Sequence, residues 1–167
     1  NAGINITDTL EQLLISTDGR IDKFDTIADR MMADYVRSIQ VAPGGIVTDI
    51  YPAEGNEAGK IDLIHDKYRG ETVKYSIAND ALIIHGPFEL EQGGHVLSIR
   101  NPVFLQDEKG TPYFWGMTMV IIKVPDIFQH SANALTNFGY QYRLSKTISP
   151  LTDEYTVVDQ SEETLMD

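Results

Sequence analysis

The chain has no cysteine, which excludes a disulfide framework, a thiolate metal site and a thiol nucleophile. Positive charge is scarce: 13 Lys and Arg stand against 25 Asp and Glu, a formal net charge of −12. A surface that acidic repels phosphate backbones and anionic membrane faces, and no basic stripe interrupts it, so nucleic acid is not expected as a partner. Long apolar runs are missing too. The longest, Met117 to Ile122, contains Thr118 and falls far short of the roughly 18 residues of a membrane span. There is no HExxH, no phosphate-cradling glycine loop ending in Lys-Ser or Lys-Thr, no GxSxG and no GxGxxG. His65, His85, His95 and His130 do not cluster by spacing. With no nucleophile–base pair and no metal cluster in view, a non-enzymatic role without a cofactor is expected.

What is present suits a globular protein. The 167 residues are 42% hydrophobic and 23% charged, enough for one ordinary domain. The chain opens on Asn1-Ala2 without an initiator methionine or signal peptide, and it reads as an excised soluble piece of a longer protein. Leu10, Leu14, Thr17, Ile21, Phe24, Ala28, Met31 and Tyr35 recur about every 3.5 residues, a narrow helical seam. Thr7 or Asp8 is placed to cap its start, with Glu11 three residues beyond Asp8. Ser16-Thr17-Asp18-Gly19 interrupts the pattern, so either one long helix or two, the second capped by Asp18, fits. Such a seam serves equally a helix packed on its own sheet and a stalk that pairs with a second copy.

Pro43-Gly44-Gly45 is expected to stop the helical region. Ile46 to Tyr51 reads as a strand ended by Pro52, residues 53–60 as a polar loop, and Ile61 to Asp66 as a short apolar patch. Lys67 to Asn79 fits a helix with Val73 and Ile77 turned inward. Strands follow at Ala81 to Ile84, Val96 to Leu105 and Tyr113 to Val124, with a bend at Gly86-Pro87 and a turn over Asp107 to Thr111. In the last strand Trp115, Met117, Met119 and Ile121 share one face, and Phe114, Thr118, Val120 and Ile122 the other. Both faces are largely apolar, which places that strand centrally. A helix from Pro125 to about Asn137, an extended segment over Tyr140 to Leu144 and a frayed acidic end are expected beyond it. Short turns imply antiparallel neighbours, so the fold class is α+β: a long N-terminal helix or helix pair, then an antiparallel sheet with flanking helices.

Gly86-Pro87, Gln92-Gly93-Gly94, Pro102-Val103-Phe104 and Phe114-Trp115-Gly116 follow one another at fixed places. Together with Ile39 to Val47, Tyr51 to Glu57, Asp62-Leu63 and Gly139 to Leu144, they resemble the CHASE family of extracytoplasmic sensor domains, over roughly residues 20–145. Physical reasons accompany the pieces. Gly93-Gly94 permits positive φ in a turn, Pro102 suggests a sheet edge or a bulge, and Gly116 leaves room for an indole or a ligand against the backbone. The resemblance implies a PAS-like sheet, a small-molecule ligand, a place outside the cytoplasmic membrane, and a membrane-anchored receptor with a diguanylate cyclase or histidine kinase output. It divides the chain into a stalk-like helical region over 1–38, a PAS-like ligand-sensing domain over 39–138, and the start of an incomplete membrane-proximal lobe with an acidic tail over 139–167. A homodimer through the N-terminal helix is the expected assembly. The alternative is a structural or dimerising ectodomain with no ligand of its own.

Resemblance to the plant cytokinin receptors, which carry a divergent CHASE domain, implies a ligand-bonding aspartate about 25 residues before the Gly-Pro step; here that residue is Asp62. Its two acceptor oxygens suit ring or amine N–H groups, and the same residue also fits a turn cap facing water. Ile84 matches a pocket-lining leucine of those receptors and equally fits core packing. Arg100 sits in an otherwise apolar strand, where a guanidinium pairs with an acid, faces solvent or clamps an anion. The plant receptors carry threonine near that position. Trp115, the single tryptophan, walls a pocket or fills the core, and Tyr51 and Met117 pose the same choice. His85, just before Gly86-Pro87, is a ligand contact or a hydrogen-bonded strand-end histidine. The expected pocket over the sheet gathers Asp62, Ile84, Arg100 and Trp115, with Tyr51, Met117 and His85 beside them.

Overall fold

The structure, a computed structural model, describes residues 2–53, 61–90 and 93–124. Two helices open it, α1 (Ala2–Thr17) and α2 (Phe24–Met31). Ile6, Leu10 and Leu14 recur four apart and form one buried stripe on α1. That stripe packs on the chain's own sheet: Leu14 meets Val103 and Leu105, while Ile6 and Leu10 join the larger cluster beneath both helices. The caps differ from the sequence expectation. Because α1 already runs from Ala2, Thr7 and Asp8 lie inside it, and the Thr7 hydroxyl donates back to the Ile4 carbonyl at 2.7 Å. Asp18 and Gly19 end the helix with φ of 56° and 88°, and the Gly19 N–H returns to the Leu14 carbonyl at 2.8 Å. A Cβ at position 19 would stand 2.5 Å from Trp115 Nε1, so the turn and the indole both require glycine. The cap position of α2 is occupied by Lys23 in the left-handed region, not by Asp18, and no side chain caps it.

The remaining elements are β1 (Val36–Pro43), β2 (Asp49–Tyr51), α3 (Gly70–Asn79), β3 (Ile83–Glu89), β4 (His95–Gln106) and β5 (Pro112–Val124). The five strands form one antiparallel sheet in the order β2-β1-β5-β4-β3. This is the α+β arrangement expected, a helix pair followed by a PAS-like antiparallel sheet with flanking helices. β5 has neighbours on both sides, as its two apolar faces imply. On one face Ile39, Val41, Ile84, Ile99 and Val120 pack under α1 and α2. On the other, Ala42, Ile50, Leu63, Val73, Met117 and Met119 pack with α3.

Several elements depart from the sequence reading for identifiable reasons. The helical seam stops at Met31, since Met32 is extended with ψ of 147°, and β1 starts at Val36. The division at residue 38 therefore falls within a strand. β2 is only three residues long, and Ile46 makes an isolated bridge to Asp62 instead of extending it. β3 does not stop at the Gly-Pro step; a bulge between His85 and Phe88 absorbs Gly86 and Pro87, and pairing resumes. Pro102 lies beyond the last β3–β4 pair, Ile83 with Arg100, where β4 has a neighbour on the β5 side only. A second bulge, between Val103 and Phe104, leaves Trp115 out of the β4–β5 ladder. Past it the faces exchange: Phe114 packs with the α3-side cluster, and Trp115 turns to Leu14 and Leu105 under α1. Trp115 thus parts from Met117 and Met119, and Gly116 lies against the Ala42 carbonyl and Pro43 of β1.

The helix expected over 125–137, the extended segment that follows and the region 139–167 lie outside the described residues, as do most of the polar loop and Gln92. Among the described residues no helix is long and apolar enough to cross a membrane.

Candidate functional site

Two cross-strand rows of the α3-side face carry polar residues. One runs Ser38–Ile121–Ser98–His85 and the next Gln40–Met119–Arg100–Ile83 across β1, β5, β4 and β3. Ser38, Gln40, Ser98, Arg100 and Met119 line the floor of a cavity of about 350 Å³. Leu63, Arg69 and Phe88 contribute to its walls. Strand alternation puts these side chains on one side without any further device.

Arg100 dominates the chemistry. It is 2% exposed. Both of its hydrogen bonds use Nη1, which lies 3.0 Å from His85 Nδ1 and 3.3 Å from the Thr72 hydroxyl. A guanidinium only donates, so His85 Nδ1 accepts, and the ring is neutral with its proton on Nε2. Burial pushes the His85 pKa down to about 3, and the charges of Arg100 and then Arg69 add to the effect. Arg100 is likewise lowered to about 9, by burial first and then by the charge of Arg69, with Asp66 opposing. The side chain therefore stays cationic at neutral pH. Its Nε meets no hydrogen-bond partner. Among the described residues no carboxylate pairs with it. Asp66 is committed to Arg69, with Oδ2 3.0 Å from Nη1, and its Oδ1 accepts the Tyr68 and Arg69 backbone N–H groups at 2.8 Å. A cation buried without a counter-charge works against folding: lowering the pKa from 12.5 to about 9 corresponds to on the order of 5 kcal/mol at pH 7.

The opposite face holds α1. The Thr118 hydroxyl donates to the Thr7 carbonyl at 3.1 Å, and Asn101 Nδ2 donates to Glu11 Oε1 at 2.8 Å. Asn101 and Thr118 are cross-strand partners, one step along from Arg100 and Met119, which are also partners. Adjacent residues of the same two strands thus face the cavity on one side and grip the helix on the other.

The seven residues singled out from sequence do not share one pocket. Arg100 lines the cavity and His85 stands behind it as its acceptor. Met117 is wholly buried in the α3-side core. Asp62 turns outward between Ile61 and Leu63, which line the cavity. Its carboxylate accepts from the His65 backbone N–H at 3.2 Å and lies 2.8 Å from His65 Nδ1, which together hold its pKa below the usual value. Ile84 pairs with Ile99 and packs on the helix side. Tyr51 pairs with Ile39, which sends its ring to that same side, and its hydroxyl bonds Asp29 of α2. Trp115 is separated by the bulge. A smaller hollow of about 190 Å³ beside α1 and α2 is lined by none of the seven. Sequence reasoning missed Ser38, Gln40, Ser98 and Arg69. The available signal was the two-residue spacing of polar side chains, Ser38-Gln40 and Ser98-Arg100, in otherwise apolar runs. Among the described residues no group of three His, Cys, Asp or Glu is placed to hold a metal ion.

No protein-family model matches the chain, and no curated protein sequence does. Among solved structures, the chain is similar to an extracellular ligand binding receptor from Desulfohalobium retbaense, with a TM-score of 0.55 and 12% identity over 89% of this chain and 24% of that one. At that identity the likeness establishes the fold, and the chain spans about a quarter of that receptor's length.

Proposed function

We propose that the chain is an extracytoplasmic small-molecule-sensing domain of a transmembrane signalling receptor, of the kind CHASE modules serve, with a cyclase or kinase output elsewhere in the receptor. The domain acts by binding and not by catalysis. One observation carries the reading: a cavity of about 350 Å³ over the sheet, floored by polar residues in strands that are otherwise apolar. That volume lies within the usual range of ligand sites, about 300–1,000 Å³, and a few convergent polar groups on apolar walls are their ordinary lining. The shared fold with an extracellular ligand binding receptor supports the same reading.

Signalling requires a ligand that binds two states of the receptor with different affinity. Ligand contact at Arg100 and Met119 displaces β4 and β5, and the Asn101 and Thr118 bonds pass that displacement to α1. In a homodimer formed through the outward face of α1, the movement would change how the two copies meet.

The test is thermal unfolding across a metabolite library, on the native protein and on Ser98→Trp, which fills the cavity. A ligand at 100 times its Kd stabilises by about 2.7 kcal/mol, several degrees for a domain of this size. At least one compound is expected to stabilise the native protein and leave Ser98→Trp unmoved. A library without effect, or equal shifts in both proteins, removes the cavity from any role in sensing.

A further inference from the structure

We infer that the ligand of this cavity carries a carboxylate, and that the Arg100 guanidinium receives it. The inference rests on the ligand-sensing reading and deepens it by naming the chemistry of the ligand.

Four observations converge. Arg100 lines the cavity and is 2% exposed, so water does not solvate its guanidinium as it would that of a surface arginine. Its two partners, His85 and Thr72, are neutral and both engage Nη1. Nε has no partner, and Nε with Nη2 forms the edge of the fork that matches the two oxygens of a carboxylate. Among the described residues, the charged ones lining the cavity are Arg37, Arg69, Arg100 and a single acid, Glu89 at the exposed end of β3. Positive charge is thus gathered in a chain whose formal net charge is −12. Structural arginines are buried with an acid beside them; here, among the described residues, the acid that acts on Arg100, Asp66, is held by Arg69.

The rest of the lining narrows the class. Val96, Met119 and Ile121 lie among Ser38 and Ser98 on the same sheet face, and with Phe88 they form the apolar wall of the cavity. A bare inorganic anion would leave that wall against water, whereas a small organic acid covers it. The formal net charge of −12 disfavours polyanions, whose charge extends beyond the screening length of about 10 Å, and leaves a single carboxylate little affected.

The experiment uses matched pairs that differ only in charge: propionate and propionamide, lactate and lactamide, benzoate and benzamide. Inorganic phosphate and sulfate are run beside them at equal ionic strength. Thermal shift finds the responding pair and calorimetric titration measures its affinity, for the native protein, Arg100→Gln and Arg69→Gln. The expected result is that an acid binds and its amide does not. Arg100→Gln should weaken the acid roughly 10- to 100-fold, the loss of a charge-assisted hydrogen bond. Should Arg100→Gln fail to fold, Arg69→Gln still reads the cationic lining and should weaken the acid several-fold. Equal binding of acids and amides overturns the inference and leaves the sensing reading standing. Binding of phosphate or sulfate with no response to the carboxylates overturns it as well. Silence from the carboxylates, with a neutral or cationic compound of the metabolite library stabilising the native protein and not Ser98→Trp, overturns the inference alone; silence from every probe and from the library sinks both.

Discussion

Acidification from pH 7 to pH 5 should lower the stability of the unliganded domain by about 2 kcal/mol through one side chain, His85. In the unfolded chain its imidazole protonates near 6.5; in the fold, burial and then the neighbouring Arg100 and Arg69 hold that proton off until about pH 3. Between those values the unfolded chain binds more protons than the folded one, so stability rises with pH across the window and is lost on acidification. Each pH unit below 6.5 costs about 1.4 kcal/mol, hence about 2 kcal/mol by pH 5. Asp62 does not confuse the result: its pKa lies below the usual 3.8, so its contribution is lost only at lower pH. The assay is urea unfolding at the two pH values, read by the fluorescence of Trp115, on the native protein and on His85→Asn. Asparagine places Oδ1 where Nδ1 now accepts from Arg100 and cannot titrate, while the other three histidines remain. The native protein should lose about 2 kcal/mol, and the variant less than about 0.5 kcal/mol. Equal losses in both proteins, or a ring resonance of His85 that titrates near pH 6.5, would refute the reasoning.

Arg100→Met, without any acid present, should unfold at a higher urea concentration, by roughly 1–4 kcal/mol, because an uncompensated buried cation is replaced by an apolar chain of similar length. A lower midpoint would mean that Arg100 holds the fold through Thr72 and His85. Gly19→Ala should cost more than about 1 kcal/mol and shift the Trp115 emission, since φ is 88° and the new methyl meets the indole; an unchanged spectrum and midpoint would contradict that contact. Leu14→Ala should cost about 2–5 kcal/mol in the isolated domain, because Leu14 is wholly buried against Val103 and Leu105. A loss below about 0.5 kcal/mol in urea unfolding would show that α1 does not pack on its own sheet.

The legible parts of the fold were those with strong local punctuation. Asp107 to Thr111 reads as a turn from sequence, and in the structure Asp107 Oδ1 accepts from the Lys109 and Thr111 N–H groups at 2.8 and 2.9 Å. β4, β5 and α3 fall within a few residues of their expected bounds, because each is long and carries its own period. β1 was hidden because Tyr35 continues the helical spacing of the residues before it, and only the extended Met32 ends the helix. The bulges at Gly86-Pro87 and Trp115 could not be read, since a bulge depends on how two distant strands register and not on either one alone. That accounts for Trp115, whose face was assigned by simple alternation. Arg100 was visible as an oddity in an apolar strand, but whether an acid stood beside it depends on α3 and the turn before it, some 30 residues away in sequence. Asp62 shows the opposite failure: its position matched a family pattern, and one step of alternation turned it away from the cavity its neighbours line.

The most direct measurement is a crystal structure of the domain soaked, near neutral pH, with whichever of propionate, lactate or benzoate stabilises it most. The account predicts its carboxylate within hydrogen-bond distance of the Arg100 guanidinium, with its apolar end against Met119 and Val96. A ligand bound elsewhere, or an acidic side chain of the protein already seated on that guanidinium, would contradict it.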